Sequence, residues 1–370
     1  MLSPKTKRNI GRAIPFGVMW FIFSLVYCIL EKGILGQLNS YPATGVPYNF
    51  GRSIIAIPAA GMLMGIFTGI LEIGYFGRWF IKMSFTKKIV TKSFIYLVIV
   101  IIFLIVITGI NALYTQKGDT FKNLSSPAIA FLTDYAMIGT MIYMAAIIVI
   151  TQFYTEFSDS LGPGTLRNFF LGTYHHPVQE ERIFMFLDMK SSTTIAEKLG
   201  HVKYFEMLKE YFFDLSGAVI HYGGTIYQYA GDEMIISWKL KNGLKNNNCI
   251  ECFFAMKRVL EKENKKYNST WGCLPRFKAG LHYGMVTTGE IGSLKKEIIF
   301  TGDVLNTTAR IQGLCNHFNT DLLISEDLTK VIKFPNNYLL TSVGDNLLKG
   351  RSKSTELFSI SITQREFGIS

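Results

Sequence analysis

The sequence predicts a two-part protein: an all-α bundle of four transmembrane helices, followed by a ferredoxin-like α/β sandwich. Four long apolar runs lie before residue 156, and a polar connector with Gly and Pro follows them. Beyond residue 181, strand-like runs and segments of helical periodicity alternate in the order β-α-β-β-α-β, with extra elements after it. We therefore expect an N-terminal segment, a transmembrane domain, a linker, an α/β domain and a tail, at 1–12, 13–155, 156–181, 182–362 and 363–370.

The four apolar runs contain no charged residue. Each reaches the roughly 18–20 residues that a helix needs to cross a bilayer. The alternative is a set of buried helices in a soluble protein, but such helices are rarely apolar on all sides over this length. The runs are Ala13–Leu30, Ser53–Leu71, Ser93–Gln116 and Tyr135–Thr155.

Basic residues predict the orientation of the bundle. They precede the first run and fill the gap between the second and third, whereas the other two gaps are nearly free of them. The positive-inside rule then places both ends and the middle loop in the cytoplasm of a multi-pass protein of the inner or plasma membrane. No small-x-small cleavage site follows "YCILEKG", so we expect an anchor rather than a signal peptide. The basic residues are Lys5, Lys7, Arg8, Arg12, Arg78, Lys82, Lys87, Lys88 and Lys92.

Small and acidic residues mark two places in the runs. Gly61, Gly65 and Gly69 repeat at four-residue spacing, which lets two helices approach closely. This stripe favours either packing within the bundle or dimerisation across it. Glu72 and Asp134 lie near the ends of runs, where each is either a functional acid or a carboxylate at headgroup level.

Composition excludes several classes of protein. Much of the net charge of +11 flanks the apolar runs, where it suits an anionic leaflet and does not indicate nucleic acid. All six histidines follow the runs and no lysine lies in the middle of one, which excludes an intramembrane bis-histidine haem and a retinal. Five cysteines in a mostly cytoplasmic chain predict free thiols. Cys249 and Cys252 form a lone CxxC, which is either half of a zinc site or a pair packed on a helix.

The α/β domain begins with the buried strand "RIFMFLD". We expect two strands joined by a tight turn at Gly231-Asp232, and a later strand, "RFKAGLHYG", made irregular by Gly280 and Gly284. "EIIFTG", "DLLIS" and "TELFSI" predict further strands. Helical periodicity predicts helices over 193–220, 249–265 and 304–318.

Asp188 and Asp232 are the pair that points to chemistry. Asp188 ends the first strand and Asp232 lies in the hairpin, so neighbouring strands bring the two carboxylates together. Converging carboxylates repel and need a divalent cation or a shared proton. Two Mg²⁺ ions held by both acids and a triphosphate would satisfy them. The "KSSTT" that follows Asp188 opens a helix, which favours phosphate binding or an N-terminal capping box that ends at Glu197.

Three motifs carry a resemblance to a known family. "FMFLDMKSST", "QYAGDEMII" and "TGDVLNTTARI" resemble signatures of the class III adenylate/guanylate cyclases, in the same order and with matching internal spacing. The resemblance covers residues 182 to about 362, which implies a nucleotidyl cyclase catalytic domain there. The four-span N-terminal part is similar to that of bacterial membrane-anchored members.

The resemblance implies a role for each matching residue. Asp188, Asp232 and the Met189 carbonyl would bind two Mg²⁺ or Mn²⁺ ions. Asn306 would orient the ribose, and Arg310 would stabilise charge on the α-phosphate. The remaining matches would bind the substrate: Ser191, Ser192, Thr193, Gln228, Ile299 and Lys349.

The resemblance also implies a homodimer, since in this family the metal-binding acids come from one chain and the Asn and Arg from the other. Gln228 and Ile299 occupy the base-reading positions and match neither the adenine nor the guanine pattern. We expect ATP, because nothing resembles the guanine-reading Glu. The alternatives are a guanylate cyclase and a catalytically inactive nucleotide-binding membrane sensor. A diguanylate cyclase fits less well, because Ala230 stands where its hairpin motif needs a second Gly.

Overall fold

A computed structural model describes residues 3–42, 45, 47–76, 79–80, 83–115, 134–162, 164–335, 337–348 and 354–362. Arg78, Lys82, Lys349 and the tail 363–370 lie outside the described residues. The chain divides into two compact units, one of residues 6–161 and one of residues 162–370 together with the first five residues. We call the first the helical unit and the second the C-terminal unit.

The helical unit contains four helices long and apolar enough to cross a membrane, as the sequence predicts. A π-helical turn, Glu72–Phe76, extends the second helix. Asp134 stands just before the fourth, where its carboxylate accepts a hydrogen bond from the Ala136 amide at 2.7 Å. The helices are α1 (Pro4–Leu35), α2 (Phe50–Leu71), α3 (Phe85–Thr115) and α4 (Tyr135–Leu161).

The glycine stripe of α2 packs against α1. A Cβ added to Gly61 would lie 2.1 Å from the Ser24 Oγ, and one added to Gly65 would lie 2.6 Å from the Phe16 carbonyl oxygen. At Gly69 the nearest atoms belong to the Phe16 ring, at 3.1 Å. The packing alternative is therefore confirmed: the small residues let two helices of the same unit approach closely.

A buried ion cluster joins three helices of the helical unit. Lys92 of α3 is 3% exposed and forms ion pairs with Glu72, at the C-terminal end of α2, and with Glu156 of α4. The Lys92–Glu156 distance is 2.6 Å, and the Tyr96 hydroxyl donates to the second Glu72 oxygen at 2.8 Å. Glu72 is 1% exposed, and the buried Lys92 neutralises its charge, while both alternatives for its role stay predictions.

The C-terminal unit is a mixed α/β domain built on one eight-stranded sheet. Its strands are β1 (Val178–Met189), β2 (Thr225–Ala230), β3 (Glu233–Lys239), β4 (Phe277–Ile291), β5 (Glu297–Thr301), β6 (Leu322–Ser325), β7 (Tyr338–Asn346) and β8 (Thr355–Ile362). Its helices are α5 (Thr165–Phe170), α6 (Ser192–Leu199), α7 (His201–His221), α8 (Leu240–Leu244), α9 (Asn248–Lys262), α10 (Asn264–Trp271), α11 (Asp303–Gly313) and α12 (Glu326–Val331).

Strand β1 lies between β3 and β4, and the sheet order β2-β3-β1-β4 is that of the predicted ferredoxin-like sandwich. Side chains alternate between the two faces of a strand. Met185 and Leu187 join the main core together with residues of α7 and α9, whereas Phe184 and Phe186 pack with Val304 of α11. Both faces are covered, which explains why β1 reads as a continuous apolar run. Asp188, two residues after Phe186, shares the face that α11 covers.

Three predicted element boundaries were wrong. The helix expected over 193–220 is interrupted at Gly200, whose φ of 75° breaks it into α6 and α7. The helix expected to reach residue 265 ends at Lys262, and the one expected to reach 318 ends at Gly313. Strand β7, at the edge of the sheet, was missed.

Strand β4 is regular, so the irregularity expected from Gly280 and Gly284 is wrong. Its pairing with β1 is continuous from Val178 to Met189. The glycines instead allow close approach of α11: a Cβ on Gly280 would lie 2.4 Å from the Gln312 amide nitrogen. A Cβ on Gly284 would lie 2.7 Å from the Val304 side chain. These two positions therefore seat α11 directly on the sheet.

Cys249 and Cys252 are fully buried in the main core, and both are free thiols. Burial raises the pKa of Cys249 to about 12. No metal-binding group of three or more His, Cys, Asp or Glu side chains occurs in the part of the chain that the structure describes. The two cysteines therefore form a pair that packs in the core on helix α9.

The buried ion cluster predicts an effect of a Lys92→Met substitution. Removing the lysine leaves buried Glu72 without a cationic partner and Glu156 with only Lys88, 3.5 Å away, so we expect the helical unit to lose roughly 3–5 kcal/mol of stability. Thermal unfolding in lipid nanodiscs measures this loss. Lys87→Met, which changes an exposed lysine of the same helix, is the matched control. Equal stability of the two variants would contradict the structural role of the cluster.

Candidate active site

Asp188 lies at the C-terminal end of strand β1. In the sheet it lies opposite Glu233 of β3 and Lys278 of β4. Its side chain is 24% exposed, so the carboxylate sits at the margin of the core rather than in bulk water. The strand thus presents an acid at the open end of an otherwise apolar surface, where charge is costly unless a partner meets it.

Asp232 lies in the two-residue turn between β2 and β3. Ala230 pairs with Glu233 across this turn. Gly231 has a φ of 64°, a left-handed conformation that glycine adopts without steric cost. Because Glu233 is the residue opposite Asp188, the hairpin turn carries Asp232 next to the end of β1. The predicted juxtaposition of the two aspartates is therefore found in the fold.

The carboxyl groups of Asp188 and Asp232 are within hydrogen-bonding reach of each other. Burial raises the pKa of Asp188 above its ordinary value, Asp232 raises it further, and Lys278 opposes both effects. The pKa of Glu233 is also raised, first by burial and then by the two aspartates. The site therefore concentrates negative charge that a cation would neutralise.

Two residues that the sequence analysis did not identify hold Asp188. The Lys278 ammonium lies 3.3 Å from the Asp188 Oδ2, and the Gln312 side-chain amide donates to the same oxygen at 3.0 Å. Both residues are largely buried. The lone lysine in the apolar strand "RFKAGLHYG" was a usable signal for the first. Gln312 follows only from the seating of α11 on Gly280, which the sequence did not reveal.

The segment after Asp188 enters helix α6 through Ser191. This residue has a φ of 56°, unusual for a residue other than glycine, and its side chain makes no capping hydrogen bond. The capping-box alternative is therefore wrong. The Ser192 hydroxyl instead bonds Tyr204, whose pKa is raised by burial and by the two aspartates. The backbone N–H groups of Ser192 and Thr193, in the first turn of α6, have no acceptor within the helix and need one from outside it.

Asn306 and Arg310 lie one helical turn apart on α11, as their spacing predicts. Asn306 is exposed and Arg310 is half-buried. Among the described residues, neither forms a hydrogen bond or ion pair with Asp188 or Asp232. Within a single chain, Asn306 and Arg310 thus form one group of predicted site residues, and the two aspartates form another.

The base-reading candidates lie on strands β2 and β5. Gln228 is exposed next to a bulge of β2, and Ile299 lies opposite Gly289 of β4. Their neighbours touch: the Phe300 amide donates to the Tyr227 hydroxyl at 3.4 Å, and the two rings are 4.8 Å apart. The structure thus brings together the strand segments that carry the two candidates. Lys349 lies outside the described residues.

The donors present suit a hard divalent cation. Two carboxylates in contact and a backbone carbonyl at Met189 are oxygen ligands of the kind that Mg²⁺ and Mn²⁺ prefer. Within the described ranges, no group of three or more His, Cys, Asp or Glu side chains suited to a metal accompanies the pair. Remaining coordination positions would be left to water or to oxygens of a bound molecule.

Comparison with known proteins gives a consistent picture. The profile of the adenylate and guanylate cyclase catalytic domain matches residues 175–361. Adenylate cyclase 2 of Rhizobium meliloti (strain 1021) is 33% identical over 223 residues, which cover 60% of this chain and 61% of that protein. Adenylate cyclase of Anabaena cylindrica is 25% identical over 183 residues, 48% of this chain and 36% of that protein. The chain therefore spans less than two thirds of either relative.

A solved structure has the same fold. A bacterial light-regulated adenylyl cyclase aligns with a TM-score of 0.53 and 19% sequence identity, covering 62% of this chain and 67% of that chain. The similarity confirms the α/β architecture of the C-terminal unit.

The carboxylate pair predicts how the metal-free protein responds to pH. The folded protein holds a proton on Asp188 more tightly than the unfolded chain does, so the contribution of Asp188 to stability falls as pH rises above about 4. Asp232→Asn removes part of the repulsion, and we expect a shallower fall, with a gain on the order of 0.5 kcal/mol at pH 7.

Thermal unfolding between pH 4 and pH 8, with and without Mn²⁺, measures this effect. Mn²⁺ should stabilise the wild type and not Asp232→Asn. Asp345→Asn, a change at an exposed acid of β7, should follow the wild type in both respects. Identical pH curves for wild type and Asp232→Asn would show that the two carboxylates do not interact.

Proposed function

The chain belongs to the family of adenylate and guanylate cyclase catalytic domains, and from this we propose that it is a membrane-anchored adenylate cyclase. The reaction is conversion of ATP to 3′,5′-cyclic AMP and pyrophosphate. The observation that carries the proposal is the convergence of Asp188 and Asp232 at the end of strand β1. Such a pair has no role in an apolar core, and it fits cation-assisted chemistry on a phosphate.

Asp188, Asp232 and the Met189 carbonyl would hold two Mg²⁺ or Mn²⁺ ions. When bound, the ions neutralise phosphate charge and favour ionisation of the ribose 3′-hydroxyl. The aspartates are prepared for this role by their positions: β1 fixes one backbone and the hairpin turn fixes the other. Lys278 and Gln312 restrict the orientation of the first carboxylate.

The phosphate tail of ATP would meet the start of α6 and nearby cations. The backbone amides of Ser191, Ser192 and Thr193 lie where a helix binds anions most readily. Lys278, already beside Asp188, supplies a largely buried positive charge facing the same place. Lys349 is proposed to bind the β- and γ-phosphates.

Asn306 would orient the ribose, and Arg310 would stabilise negative charge on the α-phosphate. In the reaction the ribose 3′-oxygen forms a bond to the α-phosphorus, and the bond from that phosphorus to the β-phosphate oxygen breaks. The 3′-hydroxyl proton leaves to solvent, and pyrophosphate departs with the bonding electrons. A guanidinium directed at the developing charge lowers the barrier by several kcal/mol in comparable sites.

We propose that the active enzyme is a homodimer with two equivalent sites. Within the described ranges, Asn306 and Arg310 form no hydrogen bond or ion pair with the aspartates of their own chain, and Asn306 is exposed. A two-fold related chain would bring each α11 to the aspartates of its neighbour. Every site would then combine the acids of one protomer with the Asn and Arg of the other.

ATP is the proposed substrate rather than GTP. The Gln228 amide both donates and accepts hydrogen bonds, so it can read either purine, whereas Ile299 forms none. No acid stands at either position to meet the guanine N–H groups. Relatives include one named uridylate cyclase, from Rhodovulum sp. (strain MB263), at 26% identity over 147 residues. The product assay below therefore tests each nucleotide separately.

The helical unit is proposed to anchor the enzyme in the bilayer, with the C-terminal unit in the cytoplasm. The apolar helices and the distribution of basic residues support this placement. The proposed partners are thus the lipid bilayer, ATP and a second copy of the chain, and no nucleic acid.

Product analysis tests the proposed activity. The full chain in nanodiscs with Mg²⁺ or Mn²⁺ should form cyclic AMP and pyrophosphate from ATP, and much less product from GTP or UTP. Arg310→Ala should lower kcat by about a hundredfold or more and change nucleotide affinity little, because it acts on charge present mainly in the transition state. Arg276→Ala, at an arginine preceding β4, is the control. Binding of ATP without turnover under every condition would favour the inactive-sensor alternative.

Mixing of two inactive variants tests the shared site. Asp232→Asn and Arg310→Ala homodimers should each be inactive. A random equimolar mixture, formed by dissociation and reassociation, should regain about a quarter of wild-type activity, since half the dimers then contain one intact site. Reassociated dimers that stay inactive would show that each chain builds its site alone.

A further inference from the structure

Gln312 forms a contact that the proposed chemistry does not use. Its amide nitrogen lies 3.0 Å from the Asp188 Oδ2, the same oxygen that faces the Lys278 ammonium. Neither contact involves the Asp188 Oδ1. Two protein groups therefore engage one carboxylate oxygen and leave the other for a cation, which is the arrangement by which outer-shell groups orient a metal ligand.

The position of Gln312 is fixed by packing. Gln312 is 6% exposed. Its helix lies so close to β4 that a Cβ on Gly280 would be 2.4 Å from the backbone nitrogen of Gln312. Thr308 and Ile311, on the same side of α11, are fully buried. The hydrogen bond from the Gln312 side chain to Asp188 therefore depends on the position of α11. If α11 shifts on the sheet, the length of this hydrogen bond changes.

The same helix carries Asn306 and Arg310, which point to different surroundings. Asn306 is exposed and Arg310 half-buried, whereas Gln312 is directed to Asp188 of its own chain. Six residues separate Asn306 from Gln312, a rise of about 9 Å along a helix. In the proposed dimer, one short helix therefore touches both sites: its own through Gln312 and that of the partner through Asn306 and Arg310.

We infer that Gln312 is a positioning residue that holds Asp188 in its cation-binding orientation and, through α11, couples the two sites of the dimer. The second part rests on the proposed function, because it requires Asn306 and Arg310 to serve the partner subunit. A nucleotide that binds Asn306 and Arg310 in one site and shifts α11 would alter the hydrogen bond from Gln312 to Asp188 in the other site. By linkage, cation binding at Asp188 would in turn alter the placement of Arg310 in the neighbouring site.

Mn²⁺ binding tests the positioning role. The full chain in nanodiscs is titrated with Mn²⁺ in the presence of a non-cyclisable ATP analogue, and free Mn²⁺ is measured by electron paramagnetic resonance. Gln312→Met keeps the length of the side chain and removes the donor, and we expect about tenfold weaker binding. Gln179→Met, at an exposed glutamine of β1, should bind as the wild type does.

Turnover separates positioning from damage to the fold. In Gln312→Met, about tenfold more Mn²⁺ should restore most of kcat, which loss of structure would not allow. Should Gln312→Met fail to fold, Gln312→Asn keeps a polar amide too short to reach Asp188 and should show the same weakening. Unchanged Mn²⁺ affinity in a folded variant overturns the inference. A wild type that neither binds Mn²⁺ nor cyclises ATP overturns the proposed function instead.

Mixed dimers test the coupling. One subunit carries Arg310→Ala and supplies the working aspartates, and the other carries Asp232→Asn and supplies the working Arg310. Gln312→Met in the first subunit should raise the Mn²⁺ requirement about tenfold. Gln312→Met in the second subunit should lower kcat severalfold and leave the Mn²⁺ requirement unchanged. In that subunit the substitution removes only the hydrogen bond that helps to fix helix α11, which bears the working Arg310. Full activity with the substitution in the second subunit overturns the coupling.

Discussion

The C-terminal unit depends on two carboxylates that the fold brings together against their repulsion. Asp188 ends the internal strand β1, between β3 and β4, and the hairpin turn places Asp232 beside it. Partial burial increases the free-energy cost of charging both, and a single buried lysine offsets part of it. A fold keeps such an arrangement when a ligand completes it. The surrounding features are consistent with the proposed function: the start of helix α6 follows Asp188, helix α11 packs directly on the sheet, and the segments that carry Gln228 and Ile299 lie close together.

Much of this architecture follows from the sequence because its signals are local. Apolar runs of bilayer length, the Gly-Asp turn and the alternation along β1 each depend on residues close in the chain. The order of strands around β1 then places both aspartates at one end of the sheet. For the same reason the positions of Asn306 and Arg310 on one helical face could be predicted.

What the sequence did not reveal depends on contacts between distant segments. Gly280 looked like a disturbance of a strand, yet it is the point at which α11 meets the sheet and delivers Gln312 to Asp188. Nothing local in the sequence identified Lys92 of α3 as the partner of Glu72. Both outcomes have one cause: a single residue type is compatible with several environments, and only the partner across the core selects one.

We propose that divalent cations complete the aspartate pair. Crystals of the full chain grown with Mn²⁺ and a non-cyclisable ATP analogue would locate the cations directly by anomalous scattering. We expect two anomalous peaks roughly 3.5–4 Å apart, both bonded to oxygens of Asp188 and Asp232. Nucleotide bound with no Mn²⁺ at the pair, or with Mn²⁺ held elsewhere, would contradict it.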